Sequence, residues 1–170
     1  MVASDTPREL ESKCAKESEV IMTHLVLPSD TNPAGNLHGG VILKHMDIAG
    51  GVVCKRHSRS NVVTAGIDRV DFEEPAYVGE LLTFKASLNY VGRSSMEVGI
   101  RVEAENLQTG HSRHTNSAYL TYVALDPEGK PLQVPPLRIE TGIAERRHRE
   151  AINRLKARRQ LKAQERQEQD

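Results

Sequence analysis

Cysteine is scarce in this chain, with Cys14 and Cys54 the only two among 170 residues. Neither belongs to a C-x-x-C or similar pair, so the sequence predicts reduced thiols rather than a disulfide framework or a zinc site. His111 and His114 lie close together in the sequence without cysteine or acidic partners, which is a weak signal for a metal. We therefore expect a protein of a reducing, cytoplasmic compartment that holds no metal.

A surplus of charge of either sign is missing as well. The 23 Lys and Arg residues balance 23 Asp and Glu residues, so no overall basic field would attract nucleic acid. No apolar run approaches the length of a transmembrane helix, and residues 1–19 are polar, without the apolar segment of a signal peptide. The sequence predicts a soluble protein whose partners include neither nucleic acid nor a membrane.

Local patterns divide the chain into a flexible lead at 1–18, a folded domain at 19–137 and a charged helical tail at 138–170. The tail is rich in Arg, Lys, Glu and Gln, and its few apolar residues form a stripe too thin to anchor it firmly. We expect a solvated or partly docked helix, with the basic clusters at 146–149 and 158–159 on its solvated face.

One long helix is predicted from 38 to about 57, because apolar residues recur there at three- and four-residue spacing. Gly50 and Gly51 lie within it and permit close approach by a neighbouring backbone, so other elements are expected to wrap this helix. The residues of its predicted apolar face are Val41, Ile42, Ile48, Ala49, Val52 and Val53.

Alternation of apolar side chains with a period of two begins after position 60 and predicts antiparallel strands. A short β-prone segment at 20–27 adds a strand before the helix. A sheet that curls around the single helix buries the apolar faces of both, which gives an α+β architecture. The later strands are predicted at 63–72, 82–90, 96–104 and 118–124.

Five stretches between positions 25 and 137 carry a family resemblance. They are Leu27-Pro28-Ser29-Asp30-Thr31-Asn32, Gly35-Asn36-Leu37-His38-Gly39-Gly40, Met46-Asp47-Ile48-Ala49-Gly50-Gly51, Val62-Val63-Thr64 and Gly92-Arg93-Ser94-Ser95-Met96-Glu97-Val98. Together they resemble the hotdog-fold acyl-CoA thioesterases, especially the YciA-like and cytosolic long-chain acyl-CoA hydrolase branch.

The resemblance implies a hotdog fold, in which an antiparallel sheet wraps around a central helix, and hydrolysis of acyl-CoA to a free fatty acid and CoA. Coenzyme A is then part of the substrate and product rather than a cofactor. The resemblance also implies a dimer of hotdogs, often assembled as a trimer of dimers, with each active site shared across the dimer interface. The free edges of a curled sheet also favour a dimer, because their unpaired backbone groups form hydrogen bonds when they pair with a second copy.

The start of the long helix is a candidate oxyanion site. Backbone N–H groups at a helix N-terminus have no partner within the helix, so those of Gly39 or Gly40 are free to polarise a thioester carbonyl. Asp47 lies roughly two helical turns further along an otherwise apolar helix, which calls for a functional reason. By analogy with the family, Asp47 from the facing subunit acts as general base on a water or attacks the carbonyl directly.

Four further residues are candidates around the carboxylate. Asn36 is the first choice for a catalytic asparagine and Asn32 the second, although Asn beside Gly also suits a turn. His38 either contacts substrate or caps the helix. Thr64 lies on the strand after the helix, where the family often has a hydroxyl near the carboxylate, and β-propensity alone also explains it.

The phosphates of CoA need cationic partners. Arg93, Ser94 and Ser95 form a predicted hairpin turn that offers one guanidinium and two hydroxyls, and the resemblance includes this stretch. Arg56 and His57 end the long helix, where a cation also complements the helix dipole.

Two other functions fit the same fold. A non-catalytic acyl-CoA or acyl-thioester sensor would usually carry a DNA-binding helix pair, for which the segment before Val20 is short and polar. A dehydratase of β-hydroxyacyl thioesters needs a His paired with a carboxylate as acid and base, whereas the helix position here carries Asp47. The sequence favours the hydrolase first and the sensor second, and it does not define acyl-chain length.

Overall fold

A five-stranded antiparallel sheet wrapped around one long helix forms the body of the protein. The structure, a computed structural model, describes residues 10–167. The strands are β1 (Lys13–Cys14), β2 (Val20–Leu25), β3 (Asn61–Phe72), β4 (Glu80–Val91), β5 (Ser95–Asn106), β6 (Ser112–Leu125) and β7 (Leu137–Arg138), and the helices are α1 (Gly39–Ser58) and α2 (Gly142–Gln167). The main sheet has the strand order β2-β4-β5-β6-β3, and β1 pairs with β7 in a separate parallel ladder.

The core lies between α1 and the concave face of the sheet. Met46, Ala49 and Val53 of α1 are fully buried, and they pack with the inward-facing residues of β4, β5 and β6. The apolar face predicted from the sequence is wrong for Ile48 and Val52, which are 44% and 38% exposed. At 100° per residue these two side chains project away from the stripe that faces the sheet, onto the side where α1 meets solvent.

The predicted strands agree with the sheet except at their ends. β6 begins at Ser112, six residues before the predicted strand at 118–124, because its first residues are polar and hide the alternation. Pairing with β5 nevertheless continues through this segment, with His114 opposite Glu103 and Arg113 opposite Ala104. Strand length here depends on the partner strand more than on local sequence.

α2 lies against the outer face of the sheet and is held mainly by polar contacts. Ala151 is its only buried residue within the described part of the chain. Arg154 donates to Glu97 at 2.6 Å, and its guanidinium lies 3.6 Å from the centre of the Tyr119 ring. Arg158 pairs with Asp68 at 2.6 Å. The helix is therefore docked as far as Arg158, and the expectation that Arg158 lies on a solvated face is wrong.

The segment before β2 has regular structure where it is described. Lys13 and Cys14 pair with Leu137 and Arg138, and a 3-10 turn follows at Ala15–Glu17. The predicted flexible lead therefore differs from the structure over residues 10–18, because backbone pairing with a strand far along the chain leaves no trace in local composition. The rest of that lead, residues 1–9, lies outside the described residues.

Candidate active site

The N-terminus of α1 carries one open backbone donor. His38 is the N-cap residue, and its Nδ1 accepts a hydrogen bond from Gly40 N–H at 2.9 Å. Among the described residues, none accepts a hydrogen bond from Gly39 N–H. Since the positive end of the helix dipole lies at the same place, Gly39 rather than Gly40 presents the free donor to an oxyanion.

The loop before α1 is fixed by Asp30. The Asp30 carboxylate accepts from Leu27 N–H and from His24 Nε2, both at 2.9 Å, and its backbone carbonyl accepts from His38 N–H at 2.8 Å. These hydrogen bonds, first from Leu27 and then from His24, hold the pKa of Asp30 below its usual value. The His24 ring of β2 lies 4.1 Å from the His45 ring of α1, tilted by 37°, so the residue that binds Asp30 also contacts the helix. Asp30 thereby sets where α1 begins.

Asn32 and Asn36 lie together in this loop. The Asn32 amide donates to Asn36 Oδ1 at 2.5 Å, and Asn32 Oδ1 accepts from Ala34 N–H at 2.9 Å. A backbone hydrogen bond from Asn32 to Asn36 closes the same turn at 2.8 Å. The two asparagines thus form one unit in which Asn36 orients the side chain of Asn32.

Asp47 and Thr64 come together on the exposed side of α1. The Thr64 hydroxyl, from β3, donates to Asp47 Oδ1 at 2.5 Å. Asp47 is half-buried, so its carboxylate is accessible from one side. This contact agrees with the expectation from the sequence that a hydroxyl on the strand after the helix lies near the carboxylate.

Tyr122 of β6 also contacts Asp47, and the sequence analysis did not identify it. Its hydroxyl lies 2.9 Å from the Asp47 carbonyl oxygen and 3.2 Å from Oδ1. Burial raises the pKa of Tyr122 well above its ordinary value, and the charge of Asp47 adds to the effect, so the phenol stays protonated. The only sequence signal was Gly50, since a Cβ there would overlap the Tyr122 hydroxyl and lie 2.9 Å from ring carbons. The close approach predicted at this glycine comes from a side chain rather than a backbone.

Comparison with known proteins identifies the family. Residues 34–111 match the Thioesterase superfamily. The chain is 37% identical over 152 residues to a Bacillus subtilis protein named "Uncharacterized acyl-CoA thioester hydrolase YkhA", covering 89% of this chain and 88% of that protein. The chain belongs to the thioesterase superfamily.

Solved structures show that this thioesterase-superfamily chain has the hotdog fold. A crystal structure described as an apo-hexameric acyl-CoA thioesterase matches with a TM-score of 0.87 and 39% identity, covering 91% of this chain and 99% of that one. An acyl-CoA hydrolase from Staphylococcus aureus, in complex with butyryl coenzyme A, coenzyme A and coenzyme A disulfide, matches with a TM-score of 0.85 and 31% identity over 92% of this chain and 95% of that one.

Variants of the Staphylococcus aureus hydrolase point to three positions. Its structure has been solved with an asparagine, an aspartate or a threonine replaced by alanine; the aspartate follows the asparagine by 15 positions and precedes the threonine by 17. Asn32, Asp47 and Thr64 have the same spacing in this thioesterase-superfamily chain. The spacing matches Asn32 and not Asn36.

Among the described residues, those predicted to contact CoA form no hydrogen bond with Asp47, Thr64 or Tyr122. Arg93 is exposed in the turn between β4 and β5, and its backbone carbonyl accepts from Val134 N–H at 2.9 Å. Ser94 and Ser95 form the rest of the turn through backbone hydrogen bonds to Ala124 and Gly92. Contact of this turn with CoA stays a prediction.

The two residues at the end of α1 serve the fold. His57 is fully buried, and its Nε2 lies 2.8 Å from the Pro135 carbonyl oxygen. Burial lowers the pKa of His57 below its ordinary value, so the ring is held neutral and does not act as a phosphate ligand. The structure corrects the predicted CoA contact at His57. Arg56 is exposed and donates to the Glu19 carbonyl oxygen at 2.7 Å, which ties the end of α1 to the start of β2.

Within residues 10–167, the helices are too short or too polar to cross a membrane.

Proposed function

We propose that this chain hydrolyses acyl-CoA thioesters to a carboxylic acid and CoA, with Asp47 as the reacting carboxylate. The observation that carries the proposal is the contact between Asp47 and the Thr64 hydroxyl, at the spacing of the aspartate and threonine replaced in the Staphylococcus aureus hydrolase. The matching position of the third replaced residue makes Asn32 the catalytic asparagine, with Asn36 as its orienting neighbour. This reverses the order in which the sequence ranked the two.

In the proposed reaction, Gly39 N–H holds the thioester carbonyl oxygen while Asp47 takes a proton from water. The hydroxyl adds to the carbonyl carbon, the negative charge moves to the oxygen at the helix N-terminus, and the C–S bond breaks as the charge returns. The proton on Asp47 then passes to the CoA sulfur. Direct attack by Asp47, followed by hydrolysis of an anhydride, uses the same groups. Neither route needs a metal or a further cofactor.

One chain does not complete this site. Gly39 and Asp47 lie eight residues apart on α1, which separates them by about 12 Å along the helix axis. A thioester carbon must lie about 3 Å from the attacking oxygen while its carbonyl oxygen lies about 3 Å from the donor. The donor and the carboxylate of one site therefore come from two chains, as in a hotdog dimer.

Two features of the single chain support a dimer through α1 and β3. β3 is an edge of the sheet, with Val63 and Ile67 exposed by 43% and 45%, beside the exposed Ile48 and Val52 of α1. A groove of about 440 Å³ on the opposite face, under α2, contains none of the candidate catalytic residues. We infer a substrate cleft that forms when a second copy covers the α1–β3 face, and a trimer of such dimers like the hexameric relative.

The family also supports a cytoplasmic location. Rat cytosolic acyl coenzyme A thioester hydrolase is 36% identical over 88% of this chain, which spans 41% of that longer protein. We assign this chain to the cytoplasm on that likeness and on its reduced cysteines.

The decisive experiment combines thiol release from acyl-CoA with complementation between chains. Gly39→Pro removes the N–H at a position where proline suits the backbone, since Gly39 is the first helical residue and the extended backbone of His38 (φ −68°, ψ 127°) accepts a following proline. The new Cβ would lie 3.2 Å from the Phe72 ring, so the control must carry the same Cβ. Gly39→Ala keeps the N–H and is the matched control. Asp47→Ala and Gly39→Pro alone should each lower turnover by about 100-fold or more.

Mixed oligomers distinguish a shared site from a site within one chain. Chains carrying Asp47→Ala and chains carrying Gly39→Pro, refolded together, should recover about one quarter of wild-type activity, since random mixing leaves that share of shared sites intact. A mixture as inactive as its parents places both groups in one chain. Wild-type protein that binds acyl-CoA without releasing thiol supports the sensor instead.

A further inference from the structure

The two carboxylate oxygens of Asp47 have different surroundings. Oδ1 lies 2.5 Å from the Thr64 hydroxyl and 3.2 Å from the Tyr122 hydroxyl. Within residues 10–167, no side chain or backbone donor contacts Oδ2. One oxygen is held by protein hydroxyls, and the other is free to accept a proton.

The Tyr122 hydroxyl is fixed more firmly than an ordinary surface hydroxyl. Tyr122 is 2% exposed in β6, and its ring packs against α1 at Gly50. Its hydroxyl proton is shared between the Asp47 carbonyl oxygen at 2.9 Å and Oδ1. A single phenol thus contacts both the backbone and the side chain of the reacting residue.

Because this phenol does not ionise near neutral pH, it acts only as a donor toward Asp47. A buried phenolate beside the carboxylate would repel it, and a phenylalanine would leave Oδ1 to Thr64 alone and remove the side-chain donor from the Asp47 carbonyl oxygen. Tyr122 therefore favours one rotamer of Asp47 throughout the working pH range.

We propose that Tyr122 is a positioning residue which, with Thr64, holds Oδ1 of Asp47 and so selects Oδ2 as the oxygen that reacts. The proposal rests on the proposed function, since it concerns the geometry of the same carboxylate. Hydrogen bonding to Oδ1 gives the reacting carboxylate a defined direction of approach. Gly50 belongs to the same arrangement, because only a residue without Cβ lets the phenol reach α1.

Tyr122→Phe tests the proposal, because it removes the hydroxyl and keeps the ring. We expect kcat for acyl-CoA to fall by about 10-fold to 100-fold, since the carboxylate loses its direction, with KM changed less than about twofold. A purely structural role would lower thermal stability and leave the kcat of the folded enzyme unchanged.

Tyr119→Phe is the matched control, since Tyr119 lies on the same strand but on the outer face, against Arg154. It should leave kcat and KM unchanged. Thr64→Val combined with Tyr122→Phe should lose less than the product of the two single losses, because both hydroxyls act on one oxygen. Full additivity overturns the shared action on Oδ1.

Two results overturn the proposal while the hydrolase function stands. One is a Tyr122→Phe enzyme with wild-type kcat, and the other is a loss of kcat/KM that comes entirely from a raised KM. Asp47→Ala in the same assay series reports on the function itself, because its near-wild-type turnover would remove Asp47 from catalysis whatever Tyr122 does.

Discussion

Replacing Arg154 with alanine should release α2 from the sheet and destabilise the protein. The Arg154 guanidinium donates to Glu97 at 2.6 Å and 3.3 Å, and the side chain of Glu97 is only 4% exposed. Without Arg154, the Asn89 amide at 3.2 Å is the remaining side-chain donor to this carboxylate among the described residues. A buried carboxylate left in that state is costly, so this ion pair contributes strongly to the docking of α2, beside the pair of Arg158 with Asp68.

The expected loss is about 3 kcal/mol. Breaking a buried ion pair costs about 3–5 kcal/mol, and the lower end applies because the Arg154 side chain is 22% exposed and release of α2 returns water to Glu97. Loss of the cation–π contact with Tyr119 is included and accounts for about 0.5–1 kcal/mol. Urea unfolding followed by circular dichroism at fixed protein concentration measures the difference, and limited proteolysis reports whether α2 has come away.

Two further variants control this measurement. Arg159→Ala removes an exposed arginine from the same helix and should change stability by less than about 0.5 kcal/mol. The double change Arg154→Met with Glu97→Gln removes both charges together and should cost less than Arg154→Ala alone. An Arg154→Ala protein within about 1 kcal/mol of wild type, with α2 still protected from protease, would refute the desolvated ion pair.

Three further predictions concern other sites. Arg113 holds the pKa of Glu80 below its usual value by hydrogen bonds at 2.6 Å and 2.8 Å; this stability is present above the unfolded pKa and lost as pH falls through the folded pKa. Glu80→Gln should thus cost about 2 kcal/mol in urea at pH 7 and progressively less as the pH falls below 4.5 and through the folded pKa, whereas a loss that stays constant over that range contradicts the linkage. Gly50→Ala should lower the melting temperature despite the helix propensity of alanine, because its Cβ overlaps Tyr122, and an unchanged or raised value contradicts that overlap. Arg93→Ala should raise KM for acyl-CoA by the factor that corresponds to a loss of about 1–3 kcal/mol of binding free energy. KM for a short thioester that lacks the nucleotide should stay unchanged, and equal effects on both substrates would remove Arg93 from the nucleotide site.

Much of the fold follows from periodicity, because α1 and the central strands bury one face each. The helix predicted at 38–57 is observed at Gly39–Ser58, with the break to two-residue alternation after it. Ile48 and Val52 were assigned to the buried face because spacing alone does not separate a side chain that faces the sheet from one that faces another surface of the chain. A face that binds a partner also carries regularly spaced apolar residues, and in the single chain these stay exposed beside the edge strand.

Contacts between distant residues were beyond sequence reasoning. Asp47 and Tyr122 are 75 positions apart, and Glu97 and Arg154 are 57 apart, so no local pattern relates them. The contact between Asp47 and Thr64 is predictable from the sequence, because α1 and β3 are consecutive elements and the family resemblance includes both residues. His57 was misassigned because a histidine at a helix end has the same sequence context whether it is buried or exposed.

The polar docking of α2 also has a thermodynamic consequence. Unfolding heat capacity and the denaturant slope scale with exposed surface, apolar surface above all, and α2 buries only Ala151 among its described residues. Its release therefore adds little to either quantity, so neither the heat capacity nor the denaturant slope distinguishes early opening of α2 from global unfolding. Amide hydrogen exchange separates the two events, since the α2 amides should exchange through a local opening whose free energy falls with added salt, while the amides of β5 exchange only on global unfolding.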